Sequence, residues 1–295
     1  MPLTAQRTYR VRFHDCDVNQ IVRGASWLRY MQEAAFAASD AVGYTEERYR
    51  AIHRIWLIRE TVIEILHPLR YGDSVQITTW VDDFHRVRSR RAYEMRDSQS
   101  QMMVATAYTD WVLLDLETGW PAVIPDEMIA AFTPGQAPSK TLARRRFPAP
   151  PPIPASAHRQ QQTVQWRDLD SAGHVNNAVY VDYIEDAARQ DLAALGWPSG
   201  RLNDLGLDVA THRLHMEYRL PALLGDELII TTWAAEISED AGMRYTTVTR
   251  ALDDELLFQA RATWGCIDLQ TRARVKLPAA LTEDLASMTH NEEKK

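Results

Sequence analysis

Asp168-Leu169-Asp170-Ser171-Ala172-Gly173-His174-Val175-Asn176-Asn177 runs directly into residues 178–195, and the reading of this junction decides the fold. Two carboxylates, a histidine and two amides stand immediately before a helix-like run. Tyr180, Tyr183, Ile184, Ala187, Ala188, Leu192 and Leu195 recur at helical spacing, so one face of that run is apolar. The pattern places the N-cap at Asn177, whose side-chain oxygen can accept from the first free amides. Gly196 ends the run, and Trp197 can fold back against it. The positive end of the helix dipole then faces the loop carrying Asp170 and His174, and such an end can hold an oxyanion. A DxD or a histidine alone is more often a turn or capping feature. The density of polar groups before a buried helix favours chemistry.

The stretch has a counterpart. Adding 153 to a first-half number finds its partner in the second half without a gap. Asp15 and Asp17 fall on Asp168 and Asp170, and Tyr30 falls on Tyr183. Ile77-Thr78-Thr79-Trp80 falls on Ile230-Thr231-Thr232-Trp233, and Arg91 falls on Arg244. The register holds past Pro278, so one unit is written twice. Each copy reads as a short strand (residues 8–13 and 162–166), a polar loop, a helix of about four turns, and four more strands. Those strands are residues 54–66, 74–84, 88–96 and 102–115 in the first copy. In the second they are residues 210–219, 227–237, 243–251 and 256–268. Their Trp, Val, Ile, Thr and Tyr content suits strands, and Gly72-Asp73 and Gly225-Asp226 mark turns. One helix on an antiparallel sheet gives an α+β layer in each half.

Phe147-Pro148-Ala149-Pro150-Pro151-Pro152-Ile153-Pro154 cannot be helix or central strand and reads as an extended connector. The expected organisation is a domain over residues 1–147, a Pro-rich linker over 148–157, a domain over 158–288 and a disordered tail over 289–295. The net charge of −7 argues against general affinity for nucleic acid or anionic membrane. No apolar run is long enough to span a membrane. Cys16 and Cys266 make no disulfide framework, and with no signal peptide at the N-terminus they suggest a cytoplasmic setting. Cys16 lies between two acids, which weakens it as a nucleophile. His212-Arg213-Leu214-His215 makes no metal site, because strand residues three apart face opposite ways. No metal and no cofactor is expected.

Asp170-x-x-x-His174-Val175-Asn176-Asn177-x-x-Tyr180, with Tyr183 and Glu185 behind it, resembles the signature of hotdog-fold thioesterases. These include bacterial acyl-CoA thioesterases and the acyl-acyl carrier protein (acyl-ACP) thioesterases of plants and bacteria. The resemblance implies a tandem hotdog, each half a long helix wrapped by an antiparallel sheet. It also implies a pseudo-dimer within one chain, with further homo-oligomerisation left open. It makes Asp170 the catalytic carboxylate and gives His174 the task of orienting water or polarising the thioester. Asn176 and Asn177 would fix the loop and helix end. Tyr180 is placed at the substrate side.

The chain departs from the plant pattern at Ala172, where those enzymes carry an asparagine. It departs again at Pro221, where they carry a glutamate. Two readings stand for the first half. With Ile21 for His174 and Arg23-Gly24 for Asn176-Asn177, it has either lost activity and shapes the acyl pocket, or keeps Asp17 as a second active carboxylate. The second reading follows hydroxybenzoyl-CoA-type enzymes, whose loop Asp15-Cys16-Asp17-x-x-x-Ile21-Val22 resembles. Arg86, Arg88 and Arg90 alternate, as though along a strand edge. They are either a solvated face or a dock for the phosphates of CoA or phosphopantetheine, or for an acidic carrier protein. Arg144-Arg145-Arg146 carries the same two readings. The leading expectation is hydrolysis of a fatty acyl thioester carried on acyl carrier protein, with acyl-CoA second. Its rivals are a hotdog hydratase or dehydratase, whose Asp and His are spaced differently, and a non-catalytic acyl-thioester sensor.

Overall fold

The polar loop, helix and strand run of each copy fold as a unit of their own. The computed structural model describes residues 3–134 and 146–290, which divide into units meeting at Arg146 and Phe147. Arg144 and Arg145 lie outside the described residues. In the first unit the helix α1 (Gly24–Asp40) packs on a five-stranded antiparallel sheet. The strands are β1 (Ala5–Arg10), β2 (Arg54–Ile65), β3 (Ser74–His85), β4 (Arg88–Asp97) and β5 (Met103–Asp115), in the order β1-β3-β4-β5-β2. Two short helices, α2 (Glu46–Ala51) and α3 (Asp126–Phe132), complete it.

The second unit repeats this. Helix α4 (Asn177–Ala194) packs on β6 (His158–Thr163), β7 (Leu207–Tyr218), β8 (Glu227–Ala235), β9 (Gly242–Arg250) and β10 (Leu256–Asp268). The order is β6-β8-β9-β10-β7, and β11 (Arg274–Val275) pairs with the end of β10. Helices α5 (Ser199–Asp204) and α6 (Ala279–His290) cover one end of its core. Thr289 and His290 therefore close a helix rather than open a disordered tail, and residues 291–295 lie outside the described residues. None of the described helices is long and apolar enough to cross a membrane.

Both helices stop as the sequence proposed. Gly196 takes φ 81°, and the Trp197 amide donates back to the Leu192 carbonyl at 2.8 Å. Gly43 and Tyr44 repeat this, with φ 79° and a 2.9 Å bond to Ser39. The first strand of each unit lies earlier than expected. Residues 13–15 and 166–168 are wound into 3-10 turns instead. The alternation of residues 162–166 mimicked a strand, but the Asp168 carboxylate accepts from the Gln165 amide at 2.8 Å and winds the chain. Asp15 does the same to Arg12 at 2.9 Å.

Candidate active site

The two acids of each DxD have opposite fates. Asp168 is buried and accepts from the Tyr183 hydroxyl, nearly two turns into α4, at 2.7 Å. Asp15 accepts from Tyr30 on α1 at the same 2.7 Å. Burial pushes the Asp15 carboxyl up, but the Tyr30 and Arg12 hydrogen bonds outweigh it and hold the group below its ordinary value. The first acid thus locks loop to helix. This leaves the second acid, half-buried, as the one open to chemistry.

Asp170 sits in a tight loop closed by its amide donating to the His174 carbonyl at 3.1 Å and by a bridge between Leu169 and Val175. Gly173, at φ 80°, makes that reversal with little strain. The Ala172 amide donates to Asp170 Oδ1 at 2.9 Å. Asn176 Nδ2 donates to Oδ2 at 3.2 Å, while Asn176 Oδ1 accepts from the Ala178 amide at 2.9 Å. Asn176 is therefore the N-cap, a correction to the expectation of Asn177. Its extended backbone (φ −61°, ψ 140°) is the cap conformation, and Asn177 is already the first helical residue. Asn177 contributes its carbonyl, which accepts from the Tyr218 hydroxyl at 3.1 Å. His174 is half-buried on the loop's return limb, its Nδ1 in a marginal 3.5 Å contact with the Val175 carbonyl.

The first unit keeps the loop and changes its partners. The Asp17 amide donates to the Ile21 carbonyl at 2.8 Å, and Cys16 bridges Val22. Asp17 Oδ1 accepts from the Asn19 and Ile21 amides at 2.9 and 3.0 Å. The guanidinium of Arg23, which stands where Asn176 does, donates to the His14 carbonyl instead. Arg23 caps no amide of α1 by its side chain. The Cys16 thiol is pushed up by burial first, then by Asp17 and Asp15, and burial pushes Cys266 up to about 11.

Other expected residues lie elsewhere. Tyr180 is buried at 3% exposure, its ring stacked on Phe258 at 4.7 Å and edge-on to Tyr218 at 5.8 Å. The arginines do not line a strand edge, because β4 is paired on both sides, with β3 and β5. Arg86 occupies the turn before β4, with φ 55°. Arg88 opens β4. Arg90 is held by Asp110 in a two-pronged bridge of 2.6 and 2.7 Å and lies 4.1 Å over the Tyr108 ring. Sequence reading missed Tyr183 as the partner of Asp168, and Tyr218 as the brace under the start of α4. Helical spacing put Tyr183 on the apolar face and the family signature included it, but neither gave its hydroxyl a partner.

Known proteins place this arrangement. Residues 2–132 match the family model described as acyl-ACP thioesterase N-terminal domain, and residues 164–285 match that of the thioesterase-like superfamily. A chloroplastic acyl-ACP hydrolase of Cuphea viscosissima is 24% identical over 192 residues, covering 62% of this chain and 46% of that relative. The matches thus span about half the length of the first curated relatives. A putative oleoyl thioesterase structure from Lactobacillus plantarum superposes with a TM-score of 0.77 at 20% identity, covering 89% of this chain and 96% of that one. The 12:0-ACP thioesterase of Umbellularia californica gives 0.70 at 20% identity, with 88% and 96% covered. At such identities the structural likeness is one of fold. The fold is a tandem hotdog, and each unit matches a thioesterase family model of its own: the first is similar to the acyl-ACP thioesterase N-terminal domain and the second to the thioesterase-like superfamily.

Proposed function

We propose that this chain hydrolyses fatty acyl thioesters to free acid and thiol, with acyl-ACP as the preferred carrier and acyl-CoA second. The observation that carries the reading is the two-way use of Asn176. One amide group caps α4 and donates to Asp170, so the carboxylate is held at the positive end of the helix. A carboxylate so placed can take a proton from water, or attack the carbonyl itself. The C–S bond breaks, the acid forms, and the thiolate leaves with a proton. His174 polarises the thioester carbonyl or orients the water. The positive end of α4 would favour the developing oxyanion. Tyr180 serves as an apolar wall to the acyl chain. Arg86 and Arg88 are the candidates for carrier phosphates, whereas Asp110 already engages Arg90. The 153-residue repeat supports a pseudo-dimer within one chain, and two free thiols fit a reducing, cytoplasmic setting.

Asp17 contributes little in this reading, because Arg23 does not supply the donor that Asn176 gives. The test is thiol release from a panel of acyl-ACP and acyl-CoA substrates by the wild type, Asp170→Ala, His174→Ala and Asp17→Ala, with folding checked by circular dichroism. Asp170→Ala should lose orders of magnitude, as removal of a nucleophile or base does. Asp17→Ala should keep most turnover. A folded Asp170→Ala of near-normal rate would defeat the assignment. Equal losses at Asp17 and Asp170 would mean that both acids work.

A further inference from the structure

The first unit buries a guanidinium that meets no carboxylate among the described residues. Arg91 lies on the inward face of β4 with 6% of its surface exposed. Its Nη1 is 3.4 Å from the Thr79 hydroxyl, a long contact, and that hydroxyl itself donates to the Ala92 carbonyl at 2.8 Å. Among the described residues no ion pair reaches Arg91. Burial pushes its pKa below the ordinary arginine value, and only the phenols of Tyr93 and Tyr49 work against that.

The second unit shows what normally meets such a group. Arg244 holds the same register: it stands between Ala234 and Ala262, as Arg91 stands between Val81 and Thr109. It is equally buried, at 5% exposure. Its Nη1 is 3.3 Å from the Thr232 hydroxyl, the counterpart of Thr79. The difference is a carboxylate. Asp191 reaches inward from α4 to Arg244 at 2.6 Å. On α1 the same position is Ala38, itself buried. The repeat has kept arginine and threonine and deleted the counter-ion. An ionised group buried alone is strongly unfavourable, so a buried polar group left this way needs a partner from elsewhere.

The surroundings of Arg91 are aromatic and apolar. Arg91 lies 5.7 Å from the centre of the Phe132 ring, and the Tyr44 ring lies 5.8 Å from the same ring. The Tyr44 hydroxyl is buried and has no partner among the described residues. Val81, Leu113 and Met128 form the apolar body of this cluster. We propose that the first unit contains a carboxylate-binding subsite, in which Arg91 receives the carboxylate of an apolar ligand where the second unit uses Asp191. Tyr44 is the second donor. The carboxylate is that of a free fatty acid or the far-end group of a dicarboxylic acyl thioester. This rests on Arg91 and its comparison with Arg244, and not on hydrolysis at Asp170.

The experiment is calorimetric titration of the full chain at pH 8 with octanoate and with octan-1-ol. Octanoate should bind roughly tenfold or more tightly, as a buried charge-assisted hydrogen bond provides. Ala38→Asp, which rebuilds the pair of the second unit, should erase that preference, and so should Arg91→Met. Equal binding of acid and alcohol by the wild type overturns the proposal, and this comparison decides even if a variant fails to fold. A preference that survives both folded variants overturns it too. Octanedioyl-CoA and octanoyl-CoA then separate the sources. A higher kcat/KM for the dicarboxylic ester assigns the far-end group, and binding of free octanoate without that advantage assigns the released acid. If neither ester is cleaved, hydrolysis fails as a reading, while the titration still reports on the subsite.

Discussion

Asn176→Asp separates the two tasks of one side chain. The wild-type amide accepts from the Ala178 amide at 2.9 Å and donates to Asp170 at 3.2 Å. Aspartate caps a helix about as well as asparagine and suits the positive helix end, so the melting temperature should hardly move. At Asp170 the same change removes a donor and places a second negative charge beside the first. At 3.2 Å that repulsion is about 1 kcal/mol with the dielectric of water and about 5 kcal/mol with the effective value of about 20 typical near a protein surface. For a half-buried pair the result lies between these limits, which corresponds to about one to four pH units. The pair then titrates as a unit, and its acids share the shift. The expected result is an acid limb of the kcat/KM profile moved up by at least about one unit. Asn176→Ala is the complementary variant. It should lower stability by about 1 kcal/mol through the lost cap and slow turnover through the lost donor. The assay is thiol release across pH 4.5–9, with urea unfolding run in parallel. A wild-type profile in a folded Asn176→Asp would refute the placing of this side chain against the working carboxylate.

Three further outcomes follow from buried polar groups. Tyr183→Phe removes a 2.7 Å bond to the buried Asp168 and should cost about 1.5–3 kcal/mol in urea unfolding; Tyr30→Phe should cost a similar amount through Asp15. Asp191→Ala strands Arg244 and should cost about 3–5 kcal/mol, whereas Asp191→Leu combined with Arg244→Met should recover most of it; failure of the double variant to recover would place the cost in packing. Burial lowers the His212 pKa to about 4, so the folded chain keeps this imidazole neutral while the unfolded chain protonates near 6.5. The unfolded state binds more protons between those values, so this contribution is fully present above pH 6.5 and is lost as pH falls towards 4, about 3 kcal/mol in all. His212→Gln should flatten that slope in denaturation curves taken from pH 7 to pH 4.5.

The sequence by itself determined the repeat, the helix-and-sheet make-up of each unit, the glycine-capped helix ends and the loop that holds Asp170. These are local or periodic properties: spacing fixes which face is apolar, and a glycine fixes where the chain can reverse. Spacing did not separate the two acids of each DxD, because both suit a turn equally well; the family resemblance singled out the second without giving the first a task. Only the packing of Tyr30 and Tyr183 against the first acid made it structural. The sequence placed the cap at Asn177, one residue late, since adjacent asparagines have the same propensity and the choice lies in one backbone rotation. Arginine alternation did not show that Asp110 holds Arg90, nor that Arg91, one residue on, points inward. A strand's two faces are distinguished by what lies across the sheet, and those partners are remote in sequence. The contrast between Asp191 and Ala38 was present in the repeat all along. It gained meaning only when the structure set Arg244 against one of them.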